Sequence, residues 1–175
     1  MKLTKTTKFD ATAGEVWDVF AHGFNDVDEW MSSVPRSYGR EGGALFEGAS
    51  SAGRISELKP DGEGMKAWER FVGYDESGKT CAVRVEFVDA PLLFPVDHNS
   101  LDFSVVDDPD GGSTATLAFG AKIKPWAYVI WPLLWRATSV GWSQLCEELK
   151  HYVETGTPHP RKVAAIEKGR SASDG

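Results

Sequence analysis

Thr80-Cys81-Ala82-Val83-Arg84-Val85-Glu86-Phe87-Val88 alternates apolar with polar side chains, and the segments 98–107 and 113–123 that follow do the same. Alternation of this kind marks a strand with one face in a core and the other in water. Val83, Val85 and Phe87, then Leu101, Phe103 and Val105, then Ala115, Leu117, Phe119 and Ala121 share the apolar side. Arg84, Glu86, Asp102, Ser104, Thr114 and Thr116 share the polar side. Residues 90–95 and the cluster Pro109-Asp110-Gly111-Gly112 stand between them as turns of hairpin length, so sequence neighbours pair antiparallel. Such a sheet has one apolar face that needs a cover.

Upstream, the same grammar predicts strands over 33–40, 53–59 and 65–75, separated by Pro60-Asp61-Gly62-Glu63-Gly64 and closed by Glu76-Ser77-Gly78. Leu3–Phe9 reads as a first strand. Thr12-Ala13-Gly14-Glu15 has the T-x-x-E capping-box pattern ahead of Val16, Trp17 and Phe20, and Asn25-Asp26 can cap a second short helix ending near Trp30. Downstream lies the cover. Leu134, Thr138, Gly141, Leu145, Leu149 and Tyr152 recur at helical spacing, Pro132 marks a kink or a fresh start, and Thr155-Gly156 ends the helix. After that the composition turns to Pro, Lys, Ser and Gly, so residues 157–175 read as a flexible tail behind one domain of residues 1–156.

The 175 residues carry a net charge of −7, which argues against nucleic acid as a partner and is as poor for an anionic membrane surface. No run is long enough for an integral membrane segment, and the start lacks a secretory h-region, so a cytoplasmic protein is expected, monomer or homodimer. Cys81 and Cys146 read as buried thiols. Metal-ligand spacing, a P-loop and a nucleophile elbow are all missing, so no metal and no cofactor is expected.

The segments Ala13-Gly14-Glu15-Val16-Trp17-Asp18-Val19-Phe20 with Trp30, Trp68-Glu69-Arg70, Tyr74-Asp75, 90–96 and 149–156 resemble the SRPBCC or START-like superfamily. The nearest branch is the polyketide cyclase/dehydrase and lipid-transport group, and the resemblance spans about residues 3 to 156. It implies an α+β helix-grip fold: a seven-stranded antiparallel sheet wrapped around the long C-terminal helix, two short helices after strand 1, and a cavity between sheet and helix. It does not imply one activity, because members range from aromatase/cyclases to lipid carriers and plant ligand-binding allergens.

Within that arrangement Trp30, Tyr38, Trp68, Phe87, Phe103, Phe119, Trp126, Trp135 and Thr138 are the expected ligand-binding residues, while Trp17 and Trp142 read as core. If Trp68 faces the cavity, Arg70 on the same strand does too; a local bulge would put Glu69 inside instead. An inward Arg resembles that of the aromatase/cyclases, where it is thought to polarise the polyketide. Arg70 and Tyr74, with Tyr38 as an alternative proton relay, are therefore the candidate catalytic residues. Asp97 and His98, being adjacent on a strand, are expected to point apart. Residues 39–53 read as a flexible hairpin over the cavity mouth. The functions these residues suggest are binding of a small hydrophobic or aromatic molecule (lipid, isoprenoid or polyketide-like), a cyclase/aromatase enzyme, or a protein-interaction module using 126–135.

Overall fold

The computed structural model describes residues 2–173; Met1, Asp174 and Gly175 lie outside the described residues. Seven strands form one antiparallel sheet in the order β1-β7-β6-β5-β4-β3-β2, with β1 Lys2–Phe9, β2 Arg36–Gly39, β3 Arg54–Glu57, β4 Lys66–Asp75, β5 Thr80–Val88, β6 Val96–Asp107 and β7 Ser113–Ile123. Each strand from β2 to β7 pairs with the next through a reversing turn, and β1 closes the far side against β7.

Helix α1 spans Ala13–Trp17 and opens on the capping box, with the Thr12 side chain accepting from the Glu15 amide and the Glu15 carboxylate accepting from the Thr12 amide at 2.7 Å. A π turn, Asp18–His22, and a 3₁₀ turn, Phe24–Glu29, follow directly. They drive Trp17, Phe20, Phe24 and Val27 into the inner face of the sheet, where Phe20 stacks on Phe103 at 3.9 Å and Trp17 lies 6.1 Å from the same ring. Each fully buried side chain of this size contributes about 1.5–3 kcal/mol, so this plug is the main core.

Pro125–Ile130 forms a 3₁₀ turn, and Pro132 stands in the first turn of the following helix, where its missing N–H costs nothing. That helix, α2, runs Trp131–Thr155 and ends as the sequence predicts, with Gly156 at φ 66° and its amide on the Tyr152 carbonyl at 2.8 Å. Its buried residues, Leu145, Cys146, Glu148 and Leu149, all lie in its C-terminal half. Glu154 accepts from the Asp10 amide and Tyr152 donates to Glu29, which ties that half to the plug.

Composition suggests a flexible tail after 156, but most of the described part of it is helical. Pro160–Ser173 is a helix, α3, docked on α2 and on the chain just before β2. Arg161 donates to Glu148 at 2.9 Å and to Glu147 at 2.8 Å, and the buried Lys162 ammonium donates to the Val34 carbonyl at 2.8 Å. Burial lowers the Lys162 pKa, opposed by Asp28 and Glu148 nearby.

Candidate functional site

The inner face of the sheet is sealed unequally. At the end where α1 and the 3₁₀ turn sit, Val83, Phe103, Val105, Ala115 and Leu117 are buried. Towards the other end, where β5 leaves, β6 enters and α2 begins, Val85, Phe87, Leu101 and Phe119 are only half-buried. The first half of α2, residues 131–144, contributes no buried residue at all. A half-covered apolar sheet face and a helix half without buried residues are therefore the loosest part of the interior.

Phe119 meets Trp142 of α2 at 5.0 Å, and Thr138, one turn earlier on the same stripe, is half-buried. Phe87 stands edge-on to Phe94 at 4.8 Å at the mouth. Beyond them Trp131, Pro132 and Trp135 frame an open apolar depression of about 460 Å³. Two polar atoms in this region are buried without a hydrogen-bond partner: the Trp142 indole Nε1 and the Asn99 amide Oδ1. Asn99 pairs with Val85 and Ala121 on the inner face, so it shares that apolar surface. An unmet donor and an unmet acceptor each carry a desolvation cost of about 1–3 kcal/mol.

Of the expected ligand-binding residues, Phe87 and Phe119 lie half-buried on the inner face, Thr138 is half-buried on α2 one turn before the Trp142 that meets Phe119, and Trp135 frames the depression at the start of α2. Trp126 stands on the 3₁₀ turn ahead of α2, 43% exposed. The other expected residues lie elsewhere. Trp30 and Phe103 are buried in the plug. Trp68, Arg70 and Tyr38 share the opposite, outer face: Trp68 lies under Arg40 at 4.9 Å, the Tyr38 hydroxyl faces Glu57 at 3.5 Å, and Arg70 sits 3.7 Å from Glu86. Parity correctly couples Trp68 to Arg70, but the buried phase of β4 is Ala67, Glu69 and Phe71. Arg70 is 47% exposed in water, where a guanidinium costs least.

The inward arginine is Arg54, which sequence reading missed. It donates to Glu69 at 2.7 Å and to the Phe24 carbonyl at 2.6 Å, and its guanidinium lies 4.1 Å from the Phe24 ring centre. Ser56 donates to the other Glu69 oxygen at 2.7 Å. No sequence signal marked it, because only the folded register pairs Arg54 with Glu69 and Ser56 with Ala67.

Tyr74 does face inward, because the register with β5 slips between Phe71 and Gly73 and reverses the phase. It lies at the plug end of the sheet, donating to Glu76 at 2.8 Å. Glu76 also accepts from the Trp17 indole at 3.0 Å and meets His22 Nε2 at 3.1 Å, while His22 Nδ1 meets Asp18 at 2.8 Å. The Trp17 hydrogen bond leads those that hold the Glu76 carboxyl down at about 2 against the effect of burial. Burial opposes charging of His22, but Glu76 and Asp18 outweigh it and raise its pKa. Burial and then Glu76 push the Tyr74 phenol up. This cluster also tethers residues 40–53, since Tyr74 donates to the Gly48 carbonyl and Ser50 to the Ala21 carbonyl. The segment is a strap over the plug, not a hairpin over the mouth. Asp97 and His98 touch at 3.1 Å despite adjacency, because β6 is irregular between Val96 and His98.

The family model for polyketide cyclase/dehydrase and lipid transport matches residues 1–154. The chain belongs to this family. No curated protein matches it. Among solved structures, a START superfamily protein from Mycobacterium smegmatis is similar with a TM-score of 0.67 at 12% identity, over 89% of this chain and 99% of that one. The protein XoxI from Bacillus cereus is similar with 0.62 at 17%, over 87% and 94%. Norcoclaurine synthase from Thalictrum flavum is similar with 0.59 at 15%, over 87% and 86%. At these identities the likeness establishes the START-like fold and nothing of the ligand.

Proposed function

We propose that this family member binds a small, largely apolar molecule bearing an uncharged hydrogen-bonding group, a lipid, isoprenoid or polyketide-like compound, between the inner face of β5–β7 and the first half of α2. The observation that carries this reading is the unsealed apolar face opposite residues 131–144. Burial of apolar ligand surface at about 25 cal/mol per Å² supplies the affinity. The orphaned Trp142 Nε1 and Asn99 Oδ1, an uncharged donor and an uncharged acceptor, favour a ligand hydroxyl or carbonyl, while the inward charges Arg54 and Glu69 already satisfy each other. A carrier is favoured over a cyclase because Arg70 lies on the outer face and Tyr74 at the opposite end.

Titration with naphthalene and 1-naphthol, followed by tryptophan quenching, tests this. Wild type and Trp68→Ala bind alike, because Trp68 is on the wrong face. Thr138→Trp fills the cleft and abolishes binding while the melting temperature holds. Trp142→Phe weakens 1-naphthol about two- to tenfold and leaves naphthalene unchanged. Equal binding by wild type and Thr138→Trp would overturn the site.

A further inference from the structure

Two apolar tips project side by side from the end of the molecule where α2 begins. One is the β5–β6 loop, with Leu92 91% and Leu93 74% exposed. The other is the 3₁₀ turn and the first turn of α2, with Val129 87% and Leu133 68% exposed, and Trp126, Tyr128, Ile130 and Trp135 also open to water. The tips are joined: the Lys124 amide donates to the Pro95 carbonyl at 2.9 Å, and Val96 pairs with Ile123. Single exposed apolar residues need no explanation, but a contiguous set of this size marks an interaction surface.

The chemistry of the set points to a bilayer. Leucine and valine at the tips alternate with Trp and Tyr, whose rings are apolar with a polar edge and favour the headgroup level. The charge is local and opposite to that of the whole chain. From Ser113 to Cys146 there is no acidic residue, and Lys122, Lys124 and Arg136 stand there in a chain of net charge −7. The acids at this end of the sheet are Glu86, Asp89 and Asp97 on β5, β6 and their loop, with Asp61 and Glu63 on the β3–β4 turn two strands away from the tips. Asp97 is taken up by Lys122 and His98, at 3.1 Å each. Lys124 and Arg136 make no ion pair among the described residues. No helix among those residues is long and apolar enough to cross a membrane.

We infer that this end of the molecule, led by Leu92, Leu93, Val129 and Leu133, docks on a lipid surface with anionic headgroups favoured. Leucine and valine side chains enter the acyl boundary, the Trp and Tyr rings sit at headgroup depth, and Lys124 and Arg136 face lipid phosphates. The two cations stand on the 3₁₀ turn and α2 side of this end, so docking is oriented through them and weak in high salt. Docking needs no molecule in the cleft, so it and the ligand-binding reading fail separately.

Cosedimentation of the full chain with vesicles of phosphatidylcholine alone, and of phosphatidylcholine with added phosphatidylserine, reads the proposal. Binding is expected on both, tighter on the second, with a blue shift of tryptophan emission and loss of the difference at high salt. Leu93→Asp and Val129→Asp each weaken it about tenfold or more with the melting temperature unchanged. Arg136→Gln weakens it about fivefold on the anionic vesicles only. Absence of binding to either vesicle overturns the proposal, as does binding indifferent to Leu93→Asp. Concentration-dependent dimers that Leu93→Asp dissolves, without vesicle binding, would assign the face to a second copy and overturn it equally.

Discussion

Arg54→Met separates the arginine that the core depends on from the one that only the sequence suggests. Arg54 and Glu69 each keep 11% of their side-chain surface, and their bond measures 2.7 Å. Removing the guanidinium leaves Glu69 as a buried charge supported by the Ser56 hydroxyl alone. It also takes away the donor on the Phe24 carbonyl and the cation over the Phe24 ring. Breaking a buried pair by deleting one partner costs about 3–5 kcal/mol. With a urea slope of about 2 kcal/mol/M, the unfolding midpoint falls by roughly 2 M, a large part of a total stability of about 5–15 kcal/mol. The double variant Arg54→Met with Glu69→Leu removes both charges and recovers most of that loss, because packed apolar groups replace a pair whose desolvation was never cheap. Arg70→Met is the control: half-exposed and 3.7 Å from Glu86, it shifts stability by less than about 0.5 kcal/mol. Urea denaturation of the four proteins decides. Equal small losses for Arg54→Met and Arg70→Met would show that the 54–69 pair is not buried, and no recovery in the double variant would refute the charge argument.

Gly53→Ala is expected to cost more than about 2 kcal/mol, since φ is 140° and a new Cβ would run into the Glu69 carbonyl oxygen. Melting lower by roughly 4 °C or more is the expected reading, and an unchanged melt would refute the close approach. The His22–Glu76–Asp18 cluster sets a pH window. The raised pKa of His22 makes its contribution complete below its unfolded value near 6.5, lost as pH rises through the folded value. The depressed pKa of Glu76 makes its contribution complete above about 4.5, lost as pH falls towards about 2. Protection of the 40–53 amides from hydrogen exchange should therefore peak between these limits, and His22→Gln should remove the decline on the alkaline side alone.

The elements of the fold are legible in the chain because they are set by local chemistry. Period-two alternation marks β4 to β7, Thr12 and Glu15 cap α1 through their own backbone, and Gly156 stops α2 by taking a left-handed conformation. The inner phase of β5 to β7, with Phe87 and Phe119 on it, was legible for the same reason, since it repeats along long, regular strands. Face is a different matter. Alternation says that Trp68 and Arg70 share a side and cannot say which, because Glu69 becomes the cheaper buried residue only once Arg54, fifteen residues earlier, and Ser56, thirteen residues earlier, are brought against it. A slip of one residue at Phe71/Gly73 then turns Tyr74 inward, and no periodic signal announces a bulge. His22 and Glu76 meet across 54 positions, and α3 is held by Arg161 and Lys162 on Glu148 and the Val34 carbonyl, polar contacts that leave no apolar pattern to read. Local periodicity determines what each segment is; pairing of charges and hydrogen bonds between distant segments, which exists only in the folded chain, decides which way it faces.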